Sequence, residues 1–67
     1  MKVFVNGKEV QLFSGATLKH ALLKADDQYY HAVRRGKAAI KDQYGNTVEM
    51  NGSADDGFSY TVLFITE

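Results

Sequence analysis

The run from Phe58 to Ile65 constrains the fold more than any other feature of the chain. Its residues, FSYTVLFI, are mostly β-branched or aromatic and, after Ser59, nearly continuously apolar. Such a run is typical of a strand buried on both faces, and a strand of that kind belongs in the middle of a sheet. Pairing with the first strand of the chain would place this last strand in the middle of the sheet. The sequence therefore predicts a mixed sheet with one helix packed across a face.

The first strand belongs to a predicted hairpin. Two β-prone runs, residues 2–5 and 8–13, flank Asn6-Gly7. Both central residues of a type I′ turn need positive φ, which Asn and Gly tolerate best, so the dipeptide is typical of a tight hairpin turn. Strand alternation places four apolar side chains on one face: Val3, Val5, Val10 and Leu12. Phe4 and Phe13 are expected on the other face or at its margin.

A short helix is predicted after the hairpin. Thr17 suits the N-cap position because its hydroxyl can accept a hydrogen bond from an exposed amide of the first turn, although neither Glu nor Gln occupies the capping-box position. Apolar residues at 18, 21, 22 and 25 have the spacing of one helical face. Asp26-Asp27 is expected in the exit loop, since acidic side chains at a helix C-terminus oppose the macrodipole.

The second half of the chain is predicted as short strands. Residues 29–35 are β-prone and rich in aromatic and basic side chains, and we predict a strand there. Gly36-Lys37 is typical of a turn, and residues 38–41 are predicted as the next strand. Residues 42–46 form a turn cluster, 47–50 alternate polar and apolar, and 51–57 form a loop. No repeat or linker interrupts residues 1–67, which we expect to form a single α+β domain with a four- to five-stranded sheet and one helix.

Composition excludes several classes of function. Cysteine is absent, which removes disulfides, thiolate catalysis and cysteine-ligated zinc or iron–sulfur clusters. Eight basic and eight acidic side chains give zero net charge, so no global attraction draws the chain to nucleic acid or an anionic membrane. The first residues lack the apolar core of an export signal, and no run is long enough to span a membrane. We therefore expect a cytoplasmic protein without membrane association.

Two motifs resemble the β-grasp (ubiquitin-like) superfamily along nearly the whole chain. Residues 5–10 (VNGKEV) with 14–18 (SGATL) look like the hairpin and helix entry of the sulfur-carrier proteins of thiamin and molybdopterin synthesis, TGS domains and plant-type ferredoxins. Asp55-Asp56-Gly57 resembles the acidic glycine loop before the last strand in those families, although Phe58 stands where a second Asp is usual. The resemblance implies a β-grasp fold. TGS-like and SLBB-like domains are the most similar non-carrier relatives by pattern.

Two activities that the resemblance implies meet departures in this sequence. A sulfur carrier needs a free, flexible Gly-Gly terminus that enters an activating enzyme, whereas this chain reads Phe64-Ile65-Thr66-Glu67 at that place. A ferredoxin needs four cysteine ligands. We therefore expect neither carrier chemistry nor an iron–sulfur cluster. A sulfur-carrier-like protein that lacks its active tail is kept as an alternative.

Aromatic side chains are the best functional signal in the sequence. The chain has more of them than one helix can cover if strand alternation is strict, so some are expected on the sheet face that is open to water. We predict a non-catalytic interaction module that presents Phe4, Phe13 and Tyr60 on this face to a protein partner or a small soluble ligand. In the other interpretation, the rings wrap the sheet margin and fill a small second core under residues 42–57.

A local group of aromatic and basic residues supports a second alternative, a small RNA-binding TGS-like module. Its members are Tyr29, Tyr30, Arg34, Arg35, Lys37 and Lys41. Tyrosine rings stack on unpaired bases and arginine contacts phosphate, which suits single-stranded RNA. Zero net charge disfavours this function, as does the strand alternation that sends Arg34 and Arg35 to opposite faces. An edge strand protected by basic side chains explains the same pattern.

The ionisable residues give no pattern that is diagnostic of catalysis or metal binding. His20 is expected on the exposed face of the helix and His31 on a strand, so nothing in the sequence brings them together. Asp26-Asp27 and Asp55-Asp56 are paired carboxylates in loops, where solvated turn acids are the common case. We predict no enzyme activity, no catalytic or metal-binding residues and no cofactor. The chain is expected to be a monomer or a weak homodimer.

Overall fold

A mixed sheet with two helices makes up the protein in the computed structural model, which describes residues 1–65. The elements are β1 (Lys2–Val5), β2 (Lys8–Gln11), α1 (Leu18–Ala25), α2 (Asp27–Arg34), β3 (Ala38–Asp42), β4 (Thr47–Val48) and β5 (Ser59–Phe64). The strand order is β2-β1-β5-β3-β4. The predicted α+β class and mixed sheet are confirmed. Thr66 and Glu67, which belong to the terminus weighed for carrier chemistry, lie outside the described residues.

Strand β5 is central, as predicted, but it is not buried on both faces. It runs parallel to β1 and antiparallel to β3. Tyr60 and Val62 are buried, whereas Ser59, Thr61 and Leu63 are exposed. Both helices pack against the face that Tyr60 and Val62 share, so the residues between them meet water. The expectation of a doubly buried strand is wrong because only one face of this sheet is covered.

The hairpin prediction is confirmed, and its turn has a second role. Asn6 and Gly7 adopt φ of 50° and 81° between the antiparallel strands β1 and β2. The Asn6 side chain also reaches β5, where its Oδ1 accepts a hydrogen bond from the Val62 N–H at 2.8 Å. The pairing of β1 with β5 ends at Val5 and Tyr60. The asparagine therefore supplies an acceptor to β5 just beyond the end of β1.

Helix α1 turns its predicted apolar face to the sheet. Its buried residues are Leu18, Ala21, Leu22 and Ala25. They join the buried face of the hairpin, which comprises Val3, Val5, Val10 and Leu12, and the residues Ile40, Tyr60 and Val62 in one core. Since the helix and the strands present their apolar residues at the predicted periods, the main core follows the hydrophobic pattern of the sequence.

The start of α1 is capped by groups from two parts of the chain. The Thr17 N–H donates to Nδ1 of His20 at 3.1 Å, so the histidine takes the place that Glu or Gln holds in a capping box. The Leu18 and Lys19 amides donate to the carbonyls of Gly52 and Met50 at 3.0 and 2.9 Å. The free N–H groups of the first turn are thus satisfied by the loop before β5.

Residues 27–34 form a helix, so the prediction of a strand over 29–35 and of a single helix is wrong. Asp26 caps the new helix, since its Oδ1 accepts from the Gln28 N–H at 3.0 Å. Tyr29, Tyr30 and Val33 then pack against the core from one helical face. The cap and this spacing outweigh the β propensity of the aromatic residues. No helix within residues 1–65 is long and apolar enough to cross a membrane.

The predicted strand over 47–50 is shorter than expected. Only Thr47 and Val48 pair with β3. The chain then turns toward α1, where Met50 and Gly52 accept the amide hydrogen bonds of the helix start and the Ala54 N–H donates to the Ala16 carbonyl at 3.0 Å. The carbonyls of this segment are used for capping, which explains why the strand ends at Val48.

Substitutions at Asn6 separate its two roles. We expect Asn6→Ala to lower the free energy of unfolding the most. It loses about 1–3 kcal/mol for the orphaned Val62 amide and about 1 kcal/mol because alanine lacks the short polar side chain with which asparagine tolerates the left-handed conformation. Asn6→Gly keeps the backbone conformation and loses only the acceptor, whereas Asn6→Asp keeps both. Urea unfolding should rank the variants Asp, Gly, Ala from most to least stable. Equal stabilities for Asn6→Asp and Asn6→Ala would contradict the hydrogen bond.

Candidate functional site

The three aromatic residues predicted for the open sheet face lie in three different places. Phe4 is half-buried on that face, with the Lys2 Nζ 5.7 Å from its ring centre. Phe13 follows the end of β2, is 61% exposed, and stands edge-on to the ring of His20. Tyr60 is 3% exposed on the face that the helices cover, because it pairs with the buried Val5. The expectation of a shared open-face cluster is wrong.

The open face is mainly polar within the described residues. Strand register places Lys2, Phe4, Glu9, Gln11, Ala39, Lys41, Thr47, Ser59, Thr61 and Leu63 on it. Lys2 and Glu9 form an ion pair at 3.7 Å, beside Phe4. Phe4 on β1 and Leu63 on β5 are the large apolar side chains of this face. Phe4 pairs with Ser59, and Leu63 lies four residues further along β5, so the two side chains are well separated. The face therefore offers no contiguous aromatic surface.

Tyr44, Phe58 and Tyr60 form a row of neighbouring rings. The Phe58 ring lies 5.8 Å from that of Tyr44 and 6.2 Å from that of Tyr60, between ring centres. Tyr60 is buried and Phe58 half-buried, but Tyr44 is 69% exposed. The rings do not fill the second core of the margin interpretation, because Tyr60 belongs to the main core, Phe58 packs against that core, and Tyr44 stands exposed beside Phe58.

A pocket of about 330 Å³ opens beside these rings. Apolar side chains contribute Leu18, Val48, Phe58 and Tyr60 to its lining, and carboxylates contribute Asp42, Glu49 and Asp55. Asn51, Gly52 and Ser53 complete the wall. A concave site with an apolar floor and a few converging polar groups is the usual form of a small-ligand pocket. This pocket is therefore the candidate functional site.

The walls of the pocket are tied to regular structure. The 49–54 segment is held to the start of α1 by the amide hydrogen bonds from Leu18 and Lys19. On the opposite wall, Oδ1 of Asp42 accepts from the amides of Tyr44 and Asn46, each at 2.9 Å. These bonds orient the Asp42 carboxylate and leave its second oxygen for other partners. The pocket is thus formed before a ligand arrives.

The Tyr60 hydroxyl is the buried polar group of the pocket. It accepts a hydrogen bond from the Asp55 N–H at 3.0 Å. Burial raises the pKa of Tyr60 above its ordinary value, and the negative charges of Asp55 and Asp42 raise it further, while the hydrogen bond from the Asp55 backbone acts in the opposite direction. The phenol is therefore neutral at physiological pH, and its hydroxyl proton can be donated.

The pocket carries negative charge. Its lining includes three carboxylates and no lysine, arginine or histidine. Among residues 1–65, the one ion pair between side chains joins Lys2 and Glu9, so none of these carboxylates is neutralised by a salt bridge. Arg34 does not line the pocket, although it borders a separate groove together with Glu49 and Met50. The field in the pocket favours a positively charged group.

The residues predicted for RNA binding do not form one surface. Arg34, Arg35 and Lys37 lie at the corner between α2 and β3, but register places Lys41 on the open sheet face. Tyr29 packs 6.1 Å from Phe64, and the Lys19 Nζ stands 5.8 Å from the ring centre of Tyr30. Both tyrosines are half-buried against these neighbours. The rings are thus not laid out as a stacking platform beside Lys41.

The two histidines remain apart, as the sequence indicated. His20 caps α1 and contacts Phe13, while His31 lies on α2. In the described part of the chain, no three His, Asp or Glu side chains stand close enough to hold a metal ion. Asp26 and Asp27 belong to the start of α2, so they are not the exit loop of a single helix.

None of the family models, curated proteins or solved structures with which the chain was compared matches it. The geometry of the described residues is therefore the basis for any function. Leu18, Asp42 and Glu49 are not predicted as site residues, because Leu18 comes from a segment of the chain distant from Asp42 and Glu49. The prediction puts Tyr60 on the wrong sheet face. Its pairing with Val5 places both side chains on the same face, the one that the helices cover, and this pairing is the signal that leads to the pocket.

Alkaline pH should reveal the buried phenol. A folded-state pKa above the unfolded value of about 10 means that Tyr60 contributes stability below pH 10 and that this contribution is lost as the pH rises through the folded pKa. We expect urea unfolding to show a steeper loss of stability above pH 10 in the parent than in Tyr60→Phe, in which the lysines still titrate. At neutral pH, Tyr60→Phe should cost about 1 kcal/mol for the lost acceptor. Parallel pH profiles would contradict the burial effect.

Proposed function

We propose that the chain is a β-grasp domain. In support, a hairpin leads into a helix that packs across the sheet, and the last strand lies parallel to the first at the sheet centre. This is the arrangement that the hairpin, the helix entry and the acidic glycine loop of the sequence imply by resemblance. Helix α2 is an addition to the expected single helix, and it covers the part of the sheet near β3.

The proposed function is binding without catalysis, with a protein partner or a small soluble ligand held in the acidic pocket. The pocket itself is the observation that supports this function, since it combines an apolar floor with three carboxylates that lack a basic neighbour in the lining. A ligand group with an apolar stem and a positive end, such as an alkylammonium, matches both properties. The apolar stem contacts Leu18, Val48 and Phe58, and the charge faces Asp42, Glu49 and Asp55.

The chemistry of the pocket argues for binding over catalysis. General acid–base catalysis works best with a group whose pKa lies near the operating pH. In Tyr60, burial moves the pKa upward and away from neutrality. One Asp42 oxygen is already occupied by two backbone amides. The residues are therefore suited to orienting a cation and poorly suited to moving protons.

The other predicted functions find less support in the described residues. RNA binding is weakened because Lys41 lies away from the arginines, and partner binding through the open face is weakened because Phe4 is its only aromatic ring among residues 1–65. The tail on which sulfur-carrier chemistry depends lies outside the described residues. The cytoplasmic location and the monomer or weak dimer stay predictions.

Alkyl ions of opposite charge test the pocket. We expect titration with n-butylammonium, followed by amide shifts in ¹H–¹⁵N spectra, to perturb residues 51–55 and the amide of Tyr60. Butyrate should leave these signals unchanged, because the carboxylates repel it. Glu49→Gln should weaken n-butylammonium binding about threefold, consistent with the loss of an exposed ion pair worth up to about 1 kcal/mol.

Glu9→Gln is the matched control, because it makes the same change on the open sheet face, away from the pocket. It should bind n-butylammonium as the parent does. Equal responses to both ions, or an equal loss of affinity in the two variants, would reject the pocket as a cation site.

A further inference from the structure

A second groove lies on the other side of the molecule, between the end of β2 and α1. It has a volume of about 340 Å³ and is lined by Gln11, Leu12, Phe13, His20, Leu23 and Lys24. Phe13 and Leu23 are 61% and 40% exposed, which makes them two of the large apolar side chains left open to water. The groove shares no lining residue with the acidic pocket. Its apolar surface has no part in the function proposed above.

The groove runs beside an unpaired strand edge. Strand β2 is the terminal strand of the described sheet. Leu12 exchanges both of its backbone hydrogen bonds with Met1, each at 2.7 Å, so Leu12, Val10 and Lys8 turn their backbone groups toward β1. By alternation, Glu9 and Gln11 direct their N–H and C=O groups away from the sheet. These groups can pair with an added strand.

The charge around the groove is positive. Lys24 lines it, and no acidic side chain does. Lys8 lies on the same side of β2, where its Nζ donates to the Ala25 carbonyl at 2.9 Å. Glu9 is on the opposite face, paired with Lys2. An incoming segment therefore meets positive charge on the helix side of the edge.

We propose that this groove and the β2 edge dock an extended peptide segment of a protein partner, which adds a strand to β2. One apolar side chain of the peptide lies over Phe13 and Leu23, and the acidic side chains on either side of it face the ammonium of Lys24 and Nε2 of His20, the ring nitrogen that the helix cap leaves free. The backbone of the peptide pairs with Glu9 and Gln11. This site is independent of the acidic pocket, and neither proposal depends on the other.

The same observations argue against other occupants. A helix has no free backbone groups along its length, so it would leave the amides of Glu9 and Gln11 unpaired. A second copy that paired β2 with β2 about a two-fold axis would put the same lysines, Lys8 and Lys24, on both sides of the contact. Like charges at such a contact oppose it. An extended acidic segment satisfies the strand edge, the apolar surface and the charge together.

Three capped peptides test the docking. The acidic probe is acetyl-Glu-Val-Leu-Val-Glu-amide, the charge control replaces both Glu with Lys, and the backbone control replaces both Val with Pro. We expect the acidic probe to shift the signals of residues 9–13 and 20–24 and to slow hydrogen exchange of the Glu9 and Gln11 amides. Residues 51–55 should not respond. The two control peptides should bind at least about tenfold more weakly.

Variants on exposed positions complete the test. Leu23→Ala and Lys24→Glu should each weaken the acidic probe about threefold or more, and Lys24→Glu should strengthen binding of the lysine control. Lys37→Glu, the same charge change at the α2–β3 corner, should leave both affinities unchanged. The proposal is overturned if the acidic and lysine peptides bind equally, if binding leaves the Glu9 and Gln11 amides unprotected, or if these amides become protected by self-association without peptide.

Discussion

The parallel pairing of β1 with β5 is the interaction on which the rest of the structure depends. It joins the two ends of the described chain through hydrogen bonds from the amides of Phe4 and Asn6 to the carbonyls of Phe58 and Tyr60, each at 2.9 Å. Strand β2 lies on one side of this pair and β3 with β4 on the other. Without it, the sheet would separate into two small ribbons, neither of which has a core of its own.

The register of this pair also decides where function can reside. Since Val5 stands opposite Tyr60, the tyrosine faces the helices and its hydroxyl meets the Asp55 backbone in the acidic pocket. A slip by one residue would send Tyr60 to the open face. Positive groups flank the groove at β2, whereas carboxylates line the pocket. A chain of zero net charge thus presents two surfaces of opposite sign.

Much of the fold follows from local pattern, and most of the site does not. The turn at Asn6-Gly7 and the apolar face of α1 depend on residues that are close together in the sequence, so they can be predicted from it. Helix α2 was not, because Tyr29 and Tyr30 favour strands and only the cap at Asp26 and the shared packing face reverse this preference. The pocket combines Leu18, Asp42 and Tyr60, whose meeting depends on the register between distant strands.

The capping of α1 by the loop before β5 has a consequence for how the chain acquires its structure. The amides of Leu18 and Lys19 donate to the carbonyls of Gly52 and Met50, which lie more than 30 residues later in the chain. During synthesis, the first turn of the helix therefore emerges with its amides bonded to water, and these caps can form only after residues 50–52 have left the ribosome. Contacts of such sequence separation slow folding. The helix is a local element by pattern, yet its first turn depends on a distant segment of the chain.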